Sequence, residues 1–468
     1  MEQVTIADIV KTTNGTLLCG NPEKGISGFS IDSRQGDKDS LFVPIIGERV
    51  DAHRFIESAL KINGATLTSE HDAMEDEKPW IKVEDTIKAM QQIGTAYRNR
   101  LNLPVVAVTG SVGKTTTREM IAWALSCDKK VFQTIGNQNS QIGVPLTLSR
   151  MTKEDEAAVL EIGMSERGQI ETLTKMIRPN IAVVTVIGVS HIMQLKSQEN
   201  ICLEKMDIVK GLPEDGKVFL NGDDPFLAEY AGRLPFDTYF YGLGENCNYR
   251  ADHVRQEEEG MAFDFVANGE MICPVRLGVL GDHNVKNALA ALGICHQMGV
   301  SVKKAAKALE SFQGQRQRIV DLGDVTLIED AYNASPDSMK AAIKVLSGMD
   351  GKKTAVLADM LELGEKEKEY HRQVGNFLFE MGIDSLLCTG ELAKEYIAGA
   401  KEAEAKVNKD GILYTRHFEN NKELADYLKG NLEPGMKILI KGSNGMNLKE
   451  VMEELHKIEN EESECNEK

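Results

Sequence analysis

The segment from Pro104 to Thr117, "PVVAVTGSVGKTTT", constrains the fold more than any other part of the chain. A continuous apolar run that ends in glycine is the pattern of a parallel strand buried on both faces. The stretch from Thr115 to Leu125 that follows is helical in pattern, so the two glycines fall in the turn between strand and helix. Backbone N–H groups from Gly110, Ser111, Val112 and Gly113, together with the positive end of the helix, then converge on one point. Lys114 can reach the outer phosphates of a nucleotide held there, and the Thr115 hydroxyl, with Thr116 beside it, can bind Mg²⁺. The general phosphate-loop pattern would place a first glycine where Val108 stands, so this loop is a specialised version. A glycine turn with a solvated lysine is the plainer reading. Strand, glycines, Lys and Thr in one register favour the nucleotide site.

A parallel strand needs crossovers, and the sequence supplies them. Apolar runs at Ala157 to Ile162, Ile181 to Ile187, Lys217 to Asn221 and Asp237 to Tyr241 alternate with helical patterns, which predicts a doubly wound α/β sheet. A helix is expected within Gly281 to Val300. A further α/β unit begins near Phe312, with strands at Val325 to Glu329, Thr354 to Leu357, Leu386 to Cys388 and Met436 to Ile440. The first hundred residues hold a strand-like run, Ser40 to Ile46, and an amphipathic stretch, Arg54 to Ile62. A helix over Asp85 to Asn99 would bury Ile87, Met90, Ile93 and Tyr97, with Asp85 as its N-cap. The chain has 468 residues, which at about 150 per domain suggests three domains. The tail after Leu455, "HKIENEESECNEK", has almost no apolar content and is expected to be disordered.

Charge narrows the function classes. The 54 Lys and Arg against 72 Asp and Glu give a net −18. That leaves no cationic excess to displace phosphate counterions, so nucleic acid is excluded as a partner. An anionic small substrate is not excluded, because a pocket can be locally positive on an acidic protein. None of the eight cysteines forms a CxxC pair, so neither a zinc site nor a disulfide framework is expected. The N-terminus lacks a signal-peptide pattern, and the longest apolar stretch, Ile181 to Val189, is too short to span a membrane. The expectation is a cytoplasmic chain in a reducing compartment.

Other polar residues stand where α/β sheets hold ligands. Glu161 ends one apolar strand and could hold a metal ion, or be an ordinary surface acid. His191 follows another strand and alone reads more readily as structural. Lys205, in a helical stretch from Glu199 to Leu212, reads as solvated. The loop "NQNSQIG" offers Asn137 and Asn139. Asn284 and Asn287 share a helix face and suit either a purine edge or an N-cap. Asp330 in "DAYNASP" could accept from ribose hydroxyls, with Asn333 nearby, and Lys441-Gly442-Ser443 ends a strand with an anion-binding pattern.

Taken in order, "DSRQGDKDSLFVPIIGERVDAHRFI", "TGSVGKTTT", "GNQNSQIGVPLTL", "GDHNVKNALAAL", "DAYNASPDSM", "ADMLELG" and "KGSNGM" make nearly the whole chain resemble the Mur ligases, the ATP-dependent amide-forming enzymes of peptidoglycan precursor synthesis. The resemblance implies three domains: a small N-terminal α/β domain for a UDP-sugar (residues 1–83), a central P-loop ATPase domain with a mostly parallel sheet (84–312), and a C-terminal Rossmann-like domain (313–468). It implies that Ser33 and Arg34 meet the uridine nucleotide and that Asn137, Asn139 and Asn333 contact substrate. Lys114 and Thr115 would serve ATP phosphates and a first Mg²⁺, while Glu161 and His191 would help to hold a second. Lys205 aligns with a lysine that the family carries as a carbamate. Asn284 and Asn287 would sit at adenine; Arg316, with Arg318 as the competitor, and Asp330 would approach the γ-phosphate and ribose. No "DNPR" string occurs, and that absence with "DAYNASPDSM" favours a member adding D-alanyl-D-alanine to a UDP-N-acetylmuramoyl-tripeptide; a monomer is expected. The alternatives are a member adding one amino acid, or a folylpolyglutamate-type ligase.

Overall fold

Apolar runs that end in glycine or a polar turn become parallel strands, and these gather into three main sheets. The structure, a computed structural model, describes residues 1–257, 260–407 and 413–466. The N-terminal sheet contains β1 (Thr16–Cys19), β2 (Gly28–Ser30), β3 (Ser40–Phe42), β4 (Ala65–Thr68) and β5 (Trp80–Lys82). Their order is β1-β5-β4-β3-β2, and only β1 runs antiparallel to its neighbour. The amphipathic stretch expected over Arg54 to Ile62 is shorter than predicted, a 3₁₀ turn Ala52–Phe55 leading into a helical turn Ile56–Ala59. Helix α1 (Thr86–Arg98) follows, and the Asp85 carboxylate accepts from the N–H groups of Ile87 and Lys88, the cap read from sequence.

The central sheet has nine strands: β6 (Val105–Thr109), β7 (Val131–Gln133), β8 (Ala157–Glu161), β9 (Ile181–Val184), β10 (Lys217–Asn221), β11 (Asp237–Gly242), β12 (Tyr249–Glu257), β13 (Gly260–Ala267) and β14 (Glu270–Leu277). Their order is β14-β13-β12-β11-β10-β9-β6-β8-β7. Helix α2 (Lys114–Leu125) carries the chain from β6 to the edge strand β7. The chain returns through β8 and crosses to β9 on the other side of β6. This reversal opens a crevice at the carboxyl ends of β8, β6 and β9, where α/β sheets bind ligands. Helices α3 (Gln198–Met206) and α4 (Asp282–Gln297) complete the unit. The sequence predicts α3 six residues longer; beyond Met206 the chain tightens into a 3₁₀ turn, Asp207–Gly211. The antiparallel meander β12–β14 was not expected. In "YRADHVRQE" the exposed positions are charged and mask the alternation of buried Tyr249 and Ala251.

The C-terminal sheet holds β15 (Arg318–Leu322), β16 (Val325–Asp330), β17 (Lys353–Ala358), β18 (Ser385–Thr389), β19 (Tyr414–Phe418) and β20 (Lys437–Lys441), in the order β15-β16-β20-β17-β18-β19. All pairs but β15–β16 are parallel. Helix α5 (Pro336–Ser347) follows β16, and α6 (Lys449–Asn466) ends the described chain. The tail expected to be disordered after Leu455 is therefore helical to Asn466. Val451 and Leu455 anchor the first turns in the core. Extending a helix already nucleated adds one hydrogen bond per residue and needs no further apolar face.

Burial explains the unbroken apolar run of β6. Val105 and Ala107 join one core with Leu41, Met90 and Ile93 of the N-terminal region. Val106 and Val108 face the opposite core with Met120, Ile121, Leu289 and Leu292. The C-terminal sheet has two further cores, and Val189 and Leu280 of the central unit pack into one of them. Among the described residues no helix is long and apolar enough to cross a membrane.

Candidate active site

The phosphate loop takes the shape its glycines permit. Gly110 and Gly113 have φ of 149° and 85°, and Gly113 caps the N-terminus of α2 in the left-handed region. A Cβ on Gly110 would lie 1.8 Å from Thr185 Oγ1, so no larger residue fits beside β9. The loop is braced from that side: Ser111 N–H donates to Val186 O (2.7 Å) and the Thr185 hydroxyl donates to Val112 O (2.5 Å). Lys114 Nζ donates to Gly110 O at 2.8 Å, curling over the loop. Burial lowers the pKa of this amine.

Around the loop lies a cleft of about 880 Å³, lined by Ser111, Val112, Gly113, Lys114, Thr115 and Thr116 and by groups from both larger units. Glu161, at the end of β8, is 1% exposed. Its carboxylate accepts from the Thr115 hydroxyl (2.8 Å) and from Asn139 Nδ2 (2.6 Å). A buried carboxylate whose hydrogen-bonding partners are a hydroxyl and an amide keeps oxygen lone pairs for a hard cation such as Mg²⁺, and the charges of Lys114 and Arg118 lie close enough to act on it. Asn137 also lines the cleft.

His191 follows β9 as expected, with φ of 63° at the start of a single helical turn, Ile192–Leu195. Burial, then the charges of Lys205 and Lys114, lower its pKa to about 4. The ring is thus neutral near pH 7, the form that can ligate a metal. Lys205 is not solvated as its helical pattern suggests. It is 2% exposed, and burial with the nearby Lys114 charge drives its pKa far below the ordinary lysine value. The apolar stripe of Ile201 and Met206 drew attention to the opposite arrangement, with Lys205 outside.

The C-terminal unit contributes the opposite wall. Arg316 donates from Nη2 to Thr115 Oγ1 at 2.7 Å and lies 3.8 Å from the Tyr332 ring centroid. Arg318 opens β15 instead and is not a cleft residue. Asp330 ends β16 and accepts from Lys441 Nζ at 2.7 Å; the same ammonium donates to Asn333 O at 3.0 Å. Burial pushes the Asp330 carboxyl up while Lys441 pulls it back. Asn284 and Asn287 line the cleft, but neither is an N-cap, since Gly281 holds that place. Their amides form a chain: the Thr117 hydroxyl donates to Asn287 Oδ1 (2.9 Å), Asn287 to Asn284 Oδ1 (3.2 Å), and Asn284 to Leu280 O (2.8 Å).

Ser33 and Arg34 stand apart from this cleft, on the loop between β2 and β3, where Arg34 pairs with Asp32 at 2.8 Å. A separate group, Asp51, His53 and Glu70, has donors spaced for a metal ion. His53 is already used, with Nδ1 2.7 Å from Asp51 and Nε2 accepting from Ser69 N–H. Asp337 and His283, to which the sequence assigns no role, also line the cleft. Each is one of several polar residues at a helix start, and no spacing rule singles it out.

The low pKa of His191 has a consequence for stability. An unfolded histidine titrates near 6.5, so as pH falls the unfolded chain of metal-free protein takes up the proton first. Stability should decline between about pH 6.5 and 4 by about 1–2 kcal/mol, after allowance for the ring's partial exposure. Urea titrations across that range should show the slope in the wild type and a flatter one in H191N. Equal slopes would contradict the assignment.

Comparison with known proteins agrees with this geometry. Residues 108–295 match the Mur ligase middle domain, and residues 301–444 match the Mur ligase, glutamate ligase domain. The UDP-N-acetylmuramoyl-tripeptide–D-alanyl-D-alanine ligase of Bacillus subtilis is 37% identical over 461 residues, covering 96% of this chain and 98% of its own. A crystal structure of MurF from Acinetobacter baumannii superposes with a TM-score of 0.88 at 28% identity, over 97% of this chain and 99% of that one. MurF from Thermotoga maritima in complex with ADP gives 0.82 at 27% identity, over 93% and 98%. With its phosphate loop, its strand-end acid and histidine, and near full-length similarity, the chain belongs to the Mur ligase family of ATP-dependent ligases.

Proposed function

We propose that the chain joins D-alanyl-D-alanine to UDP-N-acetylmuramoyl-tripeptide, with ATP converted to ADP and phosphate. One observation carries the chemistry. Glu161 at the end of β8 is bonded to Thr115 in the first turn of α2, His191 lies on the segment after β9, across β6 from β8, and Arg316 of the other unit is bonded to Thr115. In this reading residues 1–83 hold the UDP end through Ser33 and Arg34, residues 84–312 hold ATP, and residues 313–468 close over it.

Amide formation from a carboxylate fails unassisted because hydroxide is a poor leaving group. The tripeptide carboxylate oxygen attacks the γ-phosphorus, the bond to the bridging oxygen breaks, and ADP leaves. The dipeptide amine, having lost a proton, attacks the acyl carbon; the C–O bond breaks, phosphate leaves, and the nitrogen gives up a second proton. The first step brings two anions together. Lys114, Arg316 and the loop N–H groups neutralise the transferring group. Thr115, Glu161, His191 and Lys205 would hold Mg²⁺ in two sites, and bound there the metal offsets the remaining phosphate charge. Asn284 and Asn287 would meet adenine while stiffening α4 against α2, and Asp330 would accept from ribose. Asn137, Asn139 and Asn333 would meet the peptide. Closure between the units would exclude water from the acyl phosphate.

The depressed pKa of Lys205 supports a carbamate. Only a neutral amine attacks CO₂; the N–C bond forms, one proton is released, and the product is an anion able to serve the metal site. The overall function is tested by incubating the chain with ATP, UDP-muramoyl-tripeptide and D-alanyl-D-alanine. One amide product by mass per ADP is expected, and ADP formation independent of both peptide substrates would overturn the proposal.

A further inference from the structure

The carboxyl ends of the C-terminal strands face the crevice as those of the central sheet do. β16 delivers Asp330 and β20 delivers Lys441, and these two are committed to each other. The third, β17, leads into the loop Asp359–Gly364, which is fixed on every side. Leu361 N–H donates to Ser443 Oγ (3.0 Å), Met360 N–H to His371 Nε2 (3.0 Å), and Ser443 N–H to Asp359 O (3.2 Å). Met360 and Leu363 are buried. A Cβ on Gly364 would stand 3.1 Å from Met193, so the loop rests against the turn that begins at His191.

Within this braced loop Glu362 has φ of 66°. A non-glycine residue in the left-handed region is costly and persists where its surroundings over-determine it, as they do at ligand sites. The strained residue sets its carboxylate beside His191: Oε2 lies 4.0 Å from His191 Nδ1, itself at φ of 63°. The Glu362 side chain is 68% exposed and open to a ligand. Its one ion-pair neighbour among the described residues is His191, and no Lys or Arg among them pairs with it.

We propose that Glu362 receives the ammonium group of the incoming D-alanyl-D-alanine and holds that nitrogen beside His191. This rests on the function proposed above. Glu362 is an anion that the C-terminal unit presents beside the turn beginning at His191, and Asp337, in the cleft lining, is the competing acid of that unit. A charge-assisted hydrogen bond to ammonium would orient the nitrogen before it loses its proton.

The test uses the full chain with ATP, Mg²⁺ and UDP-muramoyl-tripeptide. Failure of the wild type to form the amide would refute the proposed function, not this step. Given wild-type product, E362Q should raise the KM for D-alanyl-D-alanine by about 10- to 100-fold and leave the KM for ATP and for the tripeptide unchanged. E362D should recover part of the loss. Mn²⁺ affinity, read by electron paramagnetic resonance, should not move. An unchanged KM for the dipeptide overturns the proposal. So does weakened Mn²⁺ binding in E362Q, which would make Glu362 a metal ligand, and so does a dipeptide KM that responds to D337N but not to E362Q.

Discussion

Replacing Lys114 by Ala should abolish ADP release while leaving the fold intact. The ammonium lies over the phosphate loop, bonded to Gly110 O and half-buried at the wall of the cleft. A charge there meets the transferring phosphoryl group in a medium of low dielectric, where each fixed interaction is strong. Its loss should lower kcat by at least about 10³-fold, equivalent to about 4 kcal/mol of transition-state stabilisation. Stability should not suffer, because the half-buried amine makes one hydrogen bond, to Gly110 O, and Ala is a strong helix former for the first position of α2. A coupled ADP assay beside a thermal melt checks both parts. Wild-type turnover in K114A would contradict the role given to the loop.

Lys205→Ala should be as inactive, by about 10³-fold or more, and should regain activity when short carboxylates are added. The substitution empties the buried space filled by the lysine side chain, and formate or acetate entering it would restore an anion at the metal site. Rescue should depend on acid size. If no small carboxylate restores turnover, and depletion of CO₂ leaves the wild type unaffected, Lys205 acts as an amine and the carbamate is refuted.

Much of the frame was legible in sequence because its signals are local. The run Val105–Thr109 reads as a strand buried on both faces, and its two faces do enter different cores. Asp85 caps its helix by chemistry contained within four residues. What escaped depends on distant partners. The strands β12–β14 place charged residues on an exposed face, and their pairing is fixed across the meander, not within each segment. The polar tail continues as helix because Val451 and Leu455 nucleate it.

The site divides in the same way. Gly110, Gly113, Lys114 and Thr115 are defined by their spacing. Lys205 looked solvated because its burial comes from packing between α3 and the crevice, which the helical pattern does not reveal. Arg316 and Arg318 could not be separated in "GQRQRI"; the contact with Thr115, 201 residues away in sequence, separates them. Glu362 appeared only as part of a string, since neither its backbone strain nor its distance to His191 exists before folding.

The central claim is that γ-phosphoryl transfer to a peptide carboxylate precedes amide formation. UDP-muramoyl-tripeptide labelled with ¹⁸O in its terminal carboxylate, turned over with ATP and D-alanyl-D-alanine, tests it directly. One labelled oxygen should pass into the released phosphate for each amide formed, because that oxygen bridges carbon and phosphorus in the intermediate. Unlabelled phosphate accompanying the amide would mean that ATP is hydrolysed by water, and the acyl-phosphate route would be contradicted.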